Sequence, residues 1–165
     1  EVVALYDDDG NVIGAADRSR VRDENLRHGA TGVVVRDSRG RIYVHRRTDT
    51  KDVFPGMYDC CAGGVIQFGE EPLASATREL AEELGVTGVP LASIGTGDYR
   101  DEHTNYHAFL FTVVYDGPIE WQPDEVVWGD WVEPANLLEM LDELPFVPDT
   151  TALLREWLEH LVDDE

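Results

Sequence analysis

The sequence predicts an α+β fold, a mixed sheet held between helices. Three observations carry that expectation. Hydrophobic residues make up 42% of the 165 positions, enough to bury a full core, and turn signals recur regularly between them. Apolar runs of strand character and segments of helical periodicity both occur. The two kinds mix without strict alternation, which favours a mixed sheet between helices.

Taken in order, residues 2–6 and 11–16 flank Asp7-Asp8-Asp9-Gly10 and read as a hairpin. Residues 17–26 read as a short helix or a turn-rich link. Residues 30–35 and 42–45 are strands joined by the turn Asp37-Ser38-Arg39-Gly40. Phe54-Pro55-Gly56-Met57 is a turn that leads into a glycine-rich segment. Residues 72–84 form a helix: Pro72 fits the first helical position, where its missing N–H costs nothing, and Gly85 fits the position just past the end. Residues 91–96 and 106–115 read as strands, the second ended by Asp116-Gly117-Pro118, and residues 126–132 are another strand. Pro134 opens a helix to about residue 142, and Asp149 is expected to cap a last amphipathic helix to about residue 162. No repeat, low-complexity tract or linker interrupts the chain. A single domain over 1–165 is expected, with an N-terminal hairpin region at 1–27, a core at 28–140 and a C-terminal helix at 149–162.

The segment from Gly64 to Val86, GVIQFGEEPLASATRELAEELGV, carries the chemistry. At about 100° per residue, Glu79, Glu82 and Glu83 fall within an arc of roughly 100°. Leu73, Leu80 and Leu84 form a separate stripe suited to a core-facing side. Clustered carboxylates repel one another, and an oxygen-only set of this kind suits a hard cation such as Mg²⁺ or Mn²⁺. The plain alternative is a solvated acidic helix in an acidic chain. Against it stand Gly63-Gly64, which let the backbone approach a ligand closely, and Arg78, an internal counter-charge among the acids.

This segment resembles the Nudix box, Gly-x5-Glu-x7-Arg-Glu-U-x-Glu-Glu-x-Gly-U with U aliphatic, and matches it at every fixed position, including Gly64, Glu70, Arg78 and Gly85. The resemblance runs from about residue 28 to residue 140. It implies a loop-helix-loop on an α/β/α sandwich with a mixed central sheet, which binds Mg²⁺ for attack of water on a diphosphate linkage. It implies Glu79, Glu82 and Glu83 as metal ligands, the Gly63 carbonyl as a further one, and Glu70 and Arg78 as braces of the loop. One of the three glutamates, or Glu125 from a later loop, would act as general base. The family often dimerises, so a homodimer is among the expectations.

A diphosphate arriving at such a site needs cationic groups besides the metal, and Arg47 and Lys51 are the nearest in sequence. Lys51 is the only lysine of the chain, against twelve arginines. The stretch RRTDTKDVFPGMYD is similar to the segment before the box in isopentenyl-diphosphate isomerases, a branch of the same superfamily, where the positions of Arg47 and Lys51 hold the substrate diphosphate. His28 matches a metal-binding histidine of those enzymes. The departures are Gly63 where the isomerases carry their cysteine, Val65 where they carry a histidine, and no match to their strand glutamate. Cys60 and Cys61 lie too early. The box glutamates, which isomerases degrade, are whole here. The resemblance thus implies isomerase surroundings around a hydrolase helix. His45, His103 and His107 read as structural histidines, and Trp121, Trp128 and Trp131 as core or rim aromatics.

A net charge of −21 argues against polymeric nucleic acid or an anionic membrane as partner, and no apolar run reaches membrane-span length. No secretory signal is visible, and since the chain begins at Glu1 rather than Met a short leader is expected to precede it. Adjacent Cys60 and Cys61 are poorly placed to bridge, and read as reduced, buried thiols of a cytoplasmic protein. The expected function is Mg²⁺-dependent, or Mn²⁺-dependent, hydrolysis of a small diphosphate metabolite of nucleoside-diphosphate type. The competing readings are isopentenyl-diphosphate isomerisation and a Nudix-fold module that binds a metabolite without cleaving it.

Overall fold

The computed structural model describes residues 1–51 and 54–164; Asp52 and Val53 of the RRTDTKDVFPGMYD stretch, and Glu165, lie outside the described residues. The chain begins with a hairpin, β1 (Val2–Tyr6) and β2 (Val12–Asp17), followed by the short helix α1 (Arg18–Asp23). In the hairpin turn, Asp7 Oδ1 accepts the N–H groups of Asp9 and Asn11, both at 2.9 Å, and Gly10 takes φ +85°. The same device joins β3 (His28–Arg36) to β4 (Ile42–Arg47): Asp37 Oδ1 accepts the N–H groups of Arg39 and Arg41, and Gly40 takes φ +83°. An Asp side chain standing in for the backbone, with Gly at positive φ, makes both turns local properties of sequence.

After β5 (Tyr58–Asp59) come the helix α2 (Pro72–Leu84), the strands β6 (Ala92–Arg100), β7 (Asn105–Val114) and β8 (Val126–Val132), and the helices α3 (Pro134–Glu143) and α4 (Pro148–Asp163). The sheet is mixed. β3 pairs in parallel with β7 along its whole length, while β4 pairs antiparallel with β8 and β5. β3 and β4, although joined by a tight turn, are paired at Arg36–Ile42 and then splay. The chain from 62 to 66 fills the gap beside β3. Ala62 and Val33 exchange both backbone hydrogen bonds, Thr31 N–H donates to the Gly64 carbonyl at 2.9 Å, and Ile66 N–H donates to the Gly29 carbonyl at 2.9 Å.

Alternation along β3 divides the core. Val33 and Val35 join Tyr43, Ala76, Leu80, Leu84 and Phe111 beneath α2. Val34 joins Ile42, Val44, Leu137, Leu141, Leu154 and Leu158 beneath α3 and α4. The result is the expected sandwich of helices around a mixed sheet.

Several expectations change. Leu73 is 51% exposed and belongs to no core cluster; Ser75 and Ala76 are buried instead, because the sheet does not cover the first turn of α2. Asp149 does not cap α4. Val147 takes the cap position and Pro148 the first helical one, while Asp149 Oδ2 accepts the Tyr106 hydroxyl at 2.6 Å. β6 extends to Arg100, beyond the strand expected at 91–96, because it pairs with β7 out to Asn105.

Leu80 and Leu73 share a stripe but not a fate, and denaturant unfolding of the two alanine variants measures the difference. Leu80→Ala is expected to cost about 2–5 kcal/mol, and Leu73→Ala to stay within about 0.5 kcal/mol of the parent.

Candidate active site

The glycine-rich loop is held against β3 so closely that side chains are excluded. A Cβ on Gly63 would stand 1.9 Å from the Thr31 carbonyl oxygen, and one on Gly64 would stand 2.8 Å from Glu79 Oε1. The close approach is thus to the protein's own groups, β3 on one side and the Glu79 carboxylate on the other. Lying there, Gly63 N–H donates to Glu83 Oε2 at 3.2 Å. Glu70 and Arg78 form a fork across the loop: Arg78 Nε and Nη2 donate to the two Glu70 oxygens at 2.9 and 3.0 Å, and Glu70 Oε1 also accepts Gln67 N–H. The guanidinium holds the Glu70 carboxyl below its usual range. At the far end of α2, Gly85 adopts φ +68° and its N–H meets the Ala81 carbonyl.

A cavity of about 1060 Å³ opens beside the helix, and Gly63, Gly64, Arg78, Glu79, Glu82 and Glu83 all line it. Arg47, Lys51 and Glu125 line it too. The fold therefore collects the expected residues from the loop, α2, the end of β4 and the approach to β8. A register shift between β4 and β8 at Arg46/Arg47 and the hydrogen bond from Thr48 N–H to the Glu125 carbonyl carry Glu125 to Lys51, whose Nζ is 3.7 Å from Glu125 Oε1. Glu70 and Gly85 do not reach the cavity wall.

The three box glutamates are not equivalent. Arg78 Nη1 draws Glu79 and Glu82 toward itself, at 3.0 and 3.4 Å, and Glu82 remains 61% exposed. Glu83 points the other way, toward Gly63 and the ring of His45. Among the described residues, no three acidic, histidine or cysteine side chains therefore converge as a ready ligand set. Burial, reinforced by the charge of Asp59, pushes the Glu83 carboxyl up to about 8. Burial, reinforced by Asp149, pushes Asp59 up to about 7. Burial also raises Glu79, against the opposing charge of Arg78. Oxygen donors raised by burial and by one another fit a hard divalent cation.

Asp59, a further wall residue, gave no signal in sequence. Asp59 is buried and its Oδ1 accepts the N–H groups of Cys60 and Cys61. Cys61 faces the cavity, with Sγ 3.7 Å from Asp59 Oδ1, whereas Cys60 is packed in the core. Both thiols are free. His28 lies on the wall with Nδ1 3.0 Å from the Leu26 carbonyl and its ring against Tyr106. His107 is engaged by Asp98 at 2.9 Å. Trp131 packs edge-on to Tyr43 and Trp128 edge-on to Tyr58, as core and rim aromatics. The alternation of β4 is the one cue that could have found His45, since Tyr43, His45 and Arg47 share the face turned to α2.

The comparisons with known proteins agree with this fold. The model of the NUDIX domain matches residues 26–159. An uncharacterized Nudix hydrolase of Rhodococcus erythropolis, orf19, is 46% identical, with 95% of this chain and 91% of that protein covered. YfcD of Escherichia coli K12, also an uncharacterized Nudix hydrolase, is 41% identical over 100% of this chain and 91% of its own. Among solved structures, DR0079 from Deinococcus radiodurans superposes with a TM-score of 0.81 at 23% identity, covering 94% of this chain and 98% of that one. The NUDIX domain of Shewanella oneidensis NrtR, solved with ADP ribose, superposes with a TM-score of 0.65 at 18% identity, covering 88% and 99%. Those two likenesses carry the fold; the family model and the closely similar sequences carry the assignment, and the chain belongs to the Nudix family as a Nudix hydrolase.

Proposed function

We propose that this Nudix hydrolase cleaves a diphosphate linkage in a nucleoside-diphosphate-type or related small metabolite, with Mg²⁺ or Mn²⁺ as cofactor. One observation carries the reading: the acids of α2, the two cations Arg47 and Lys51, and Glu125 all face the same cavity. Glu79, Glu82, Glu83 and the Gly63 carbonyl are the residues that would hold the cation. When bound, a divalent ion of this kind polarises phosphoryl oxygens and lowers the pKa of water. Arg47 and Lys51 orient the diphosphate and offset the charge that grows on its oxygens. The general base is one of the cavity carboxylates, and Glu125, which reaches the wall from outside the helix, is placed to take a proton from water without leaving the ligand set short. A cavity of about 1060 Å³ has room for a nucleotide-sized substrate. Because the NUDIX domain of NrtR is solved with ADP ribose, ADP ribose belongs in the substrate panel. The reading includes a cytoplasmic setting, in keeping with two free thiols, and a homodimer, in keeping with the family.

The isomerase-like surroundings are part of the same reading, since Arg47 and Lys51 line the cavity as that resemblance implies. Isomerisation itself has one observation in its favour, the position of Cys61 on the wall. Burial and the neighbouring Asp59 hold that thiol well above its ordinary range, so it would act as a proton donor rather than a thiolate. A non-cleaving binding module is disfavoured by the intact box glutamates.

Assay of phosphate release from a diphosphate panel with Mg²⁺ tests these readings. Glu83→Gln removes an anionic ligand and is expected to lower turnover at least about a hundredfold with an unchanged fold by circular dichroism; hydrolysis at the parent rate would refute the assignment. Lys51→Ala is expected to lower kcat/KM about 10- to 100-fold while Mn²⁺ binding by calorimetry is unchanged. Replacing Cys60 and Cys61 together by serine is expected to leave hydrolysis within a few-fold of the parent; proton exchange at a substrate carbon in the parent, abolished in this variant with folding retained, would favour the isomerase.

A further inference from the structure

β4 alternates between the two halves of the core. Ile42 and Val44 enter the cluster under α3 and α4, and Tyr43 enters the cluster under α2. His45 follows Tyr43 onto the α2 side, and its Nε2 stands 3.6 Å from Glu83 Oε1. The ring is 1% exposed, and among the described residues neither nitrogen has a hydrogen-bond partner. A fully buried imidazole without partners is costly, and an aliphatic residue would fill the same space without that cost. Its persistence there calls for a role.

Burial, reinforced by the charges of Arg47 and Lys51, disfavours the charged form of the ring. In either form an imidazole keeps at least one N–H to give. At 3.6 Å the contact with Glu83 is too long for a hydrogen bond, but the terminal torsion of a glutamate is soft, and a small rotation closes the gap. The other oxygen of the same carboxylate already accepts the N–H of Gly63 at 3.2 Å. Resting on the divalent-cation reading above, we propose that His45 is the positioning residue of Glu83. It donates Nε2–H to Oε1 when Glu83 serves as a ligand, so that both oxygens of Glu83 are held, one by the loop and one by β4. Outer partners of this kind fix the orientation of a ligand, and their loss lowers metal affinity without touching the metal.

Calorimetric titration of the full chain with Mn²⁺ tests the proposal. His45→Leu, which fills the site but has no donor, is expected to weaken Mn²⁺ binding about 10- to 100-fold. His45→Gln, which restores an N–H at similar reach, is expected to recover most of that loss; a residue needed only for packing would not be rescued by an amide. In isotope-labelled parent protein, Mg²⁺ is expected to move the His45 Nε2–H resonance downfield as the hydrogen bond forms. Parent-like Mn²⁺ affinity in His45→Leu overturns the proposal, and so does a His45 resonance that Mg²⁺ leaves unmoved, which decides the matter if His45→Leu fails to fold. If the parent takes up no Mn²⁺ at all, the metal reading of α2 falls and this inference with it; unchanged uptake in the variant removes the part played by His45 alone.

Discussion

Where the second strand of the β3–β4 hairpin would ordinarily run, the structure places a glycine-rich loop, and the rest of the site is measured from that substitution. β3 and β4 part after the Arg36–Ile42 pair, and residues 62–66 take over the backbone hydrogen bonds of β3. The contact tolerates no side chain at Gly63, whose position against the Thr31 carbonyl leaves no room for a Cβ. A loop fixed by main-chain bonds to a central strand is far stiffer than a surface turn. Its stiffness sets where α2 begins, which N–H faces Glu83, and how closely Glu79 can lie over Gly64.

Charge is distributed along α2 with a division of labour. One end of the network is complete in itself: Arg78 meets Glu70 with two donors and Glu79 and Glu82 with a third. That arrangement braces the loop and keeps two acids near the cavity mouth. At the other end the acids act on one another. Glu83 and Asp59 are buried near one another, and their carboxyls are raised to about 8 and about 7. Burial and the neighbouring acid favour the protonated form of each carboxyl, and a bound cation would favour the ionised form instead.

The surroundings of the box helix join features that two kinds of chemistry could use. Arg47 and Lys51 reach the wall from the end of β4 and the loop after it, and Lys51 is held near Glu125. Cys61, just past β5, reaches the same wall two residues before the position at which the isomerases carry their cysteine, with its Sγ 3.7 Å from Asp59 Oδ1. A cysteine can thus face a cavity without lying on the motif.

What the chain determined on its own is what depends on neighbours in sequence. The ends of α2 follow from Pro72 and Gly85, and the two Asp-led turns follow from an Asp side chain and a Gly at positive φ. The shared arc of Glu79, Glu82 and Glu83 follows from helix period, and the fork between Glu70 and Arg78 is what the resemblance to the Nudix box implies. Tertiary structure decided what depends on distant contacts. Parallel pairing of β3 with β7 joins segments far apart in sequence, and no local pattern specifies it. Leu73 lies on the apolar stripe yet is exposed because the sheet ends short of it. Asp149 has the composition of a cap but is used by Tyr106, and His45 looks like any strand histidine until α2 brings Glu83 over it. Periodicity gives a residue its direction, and only packing gives it a neighbour.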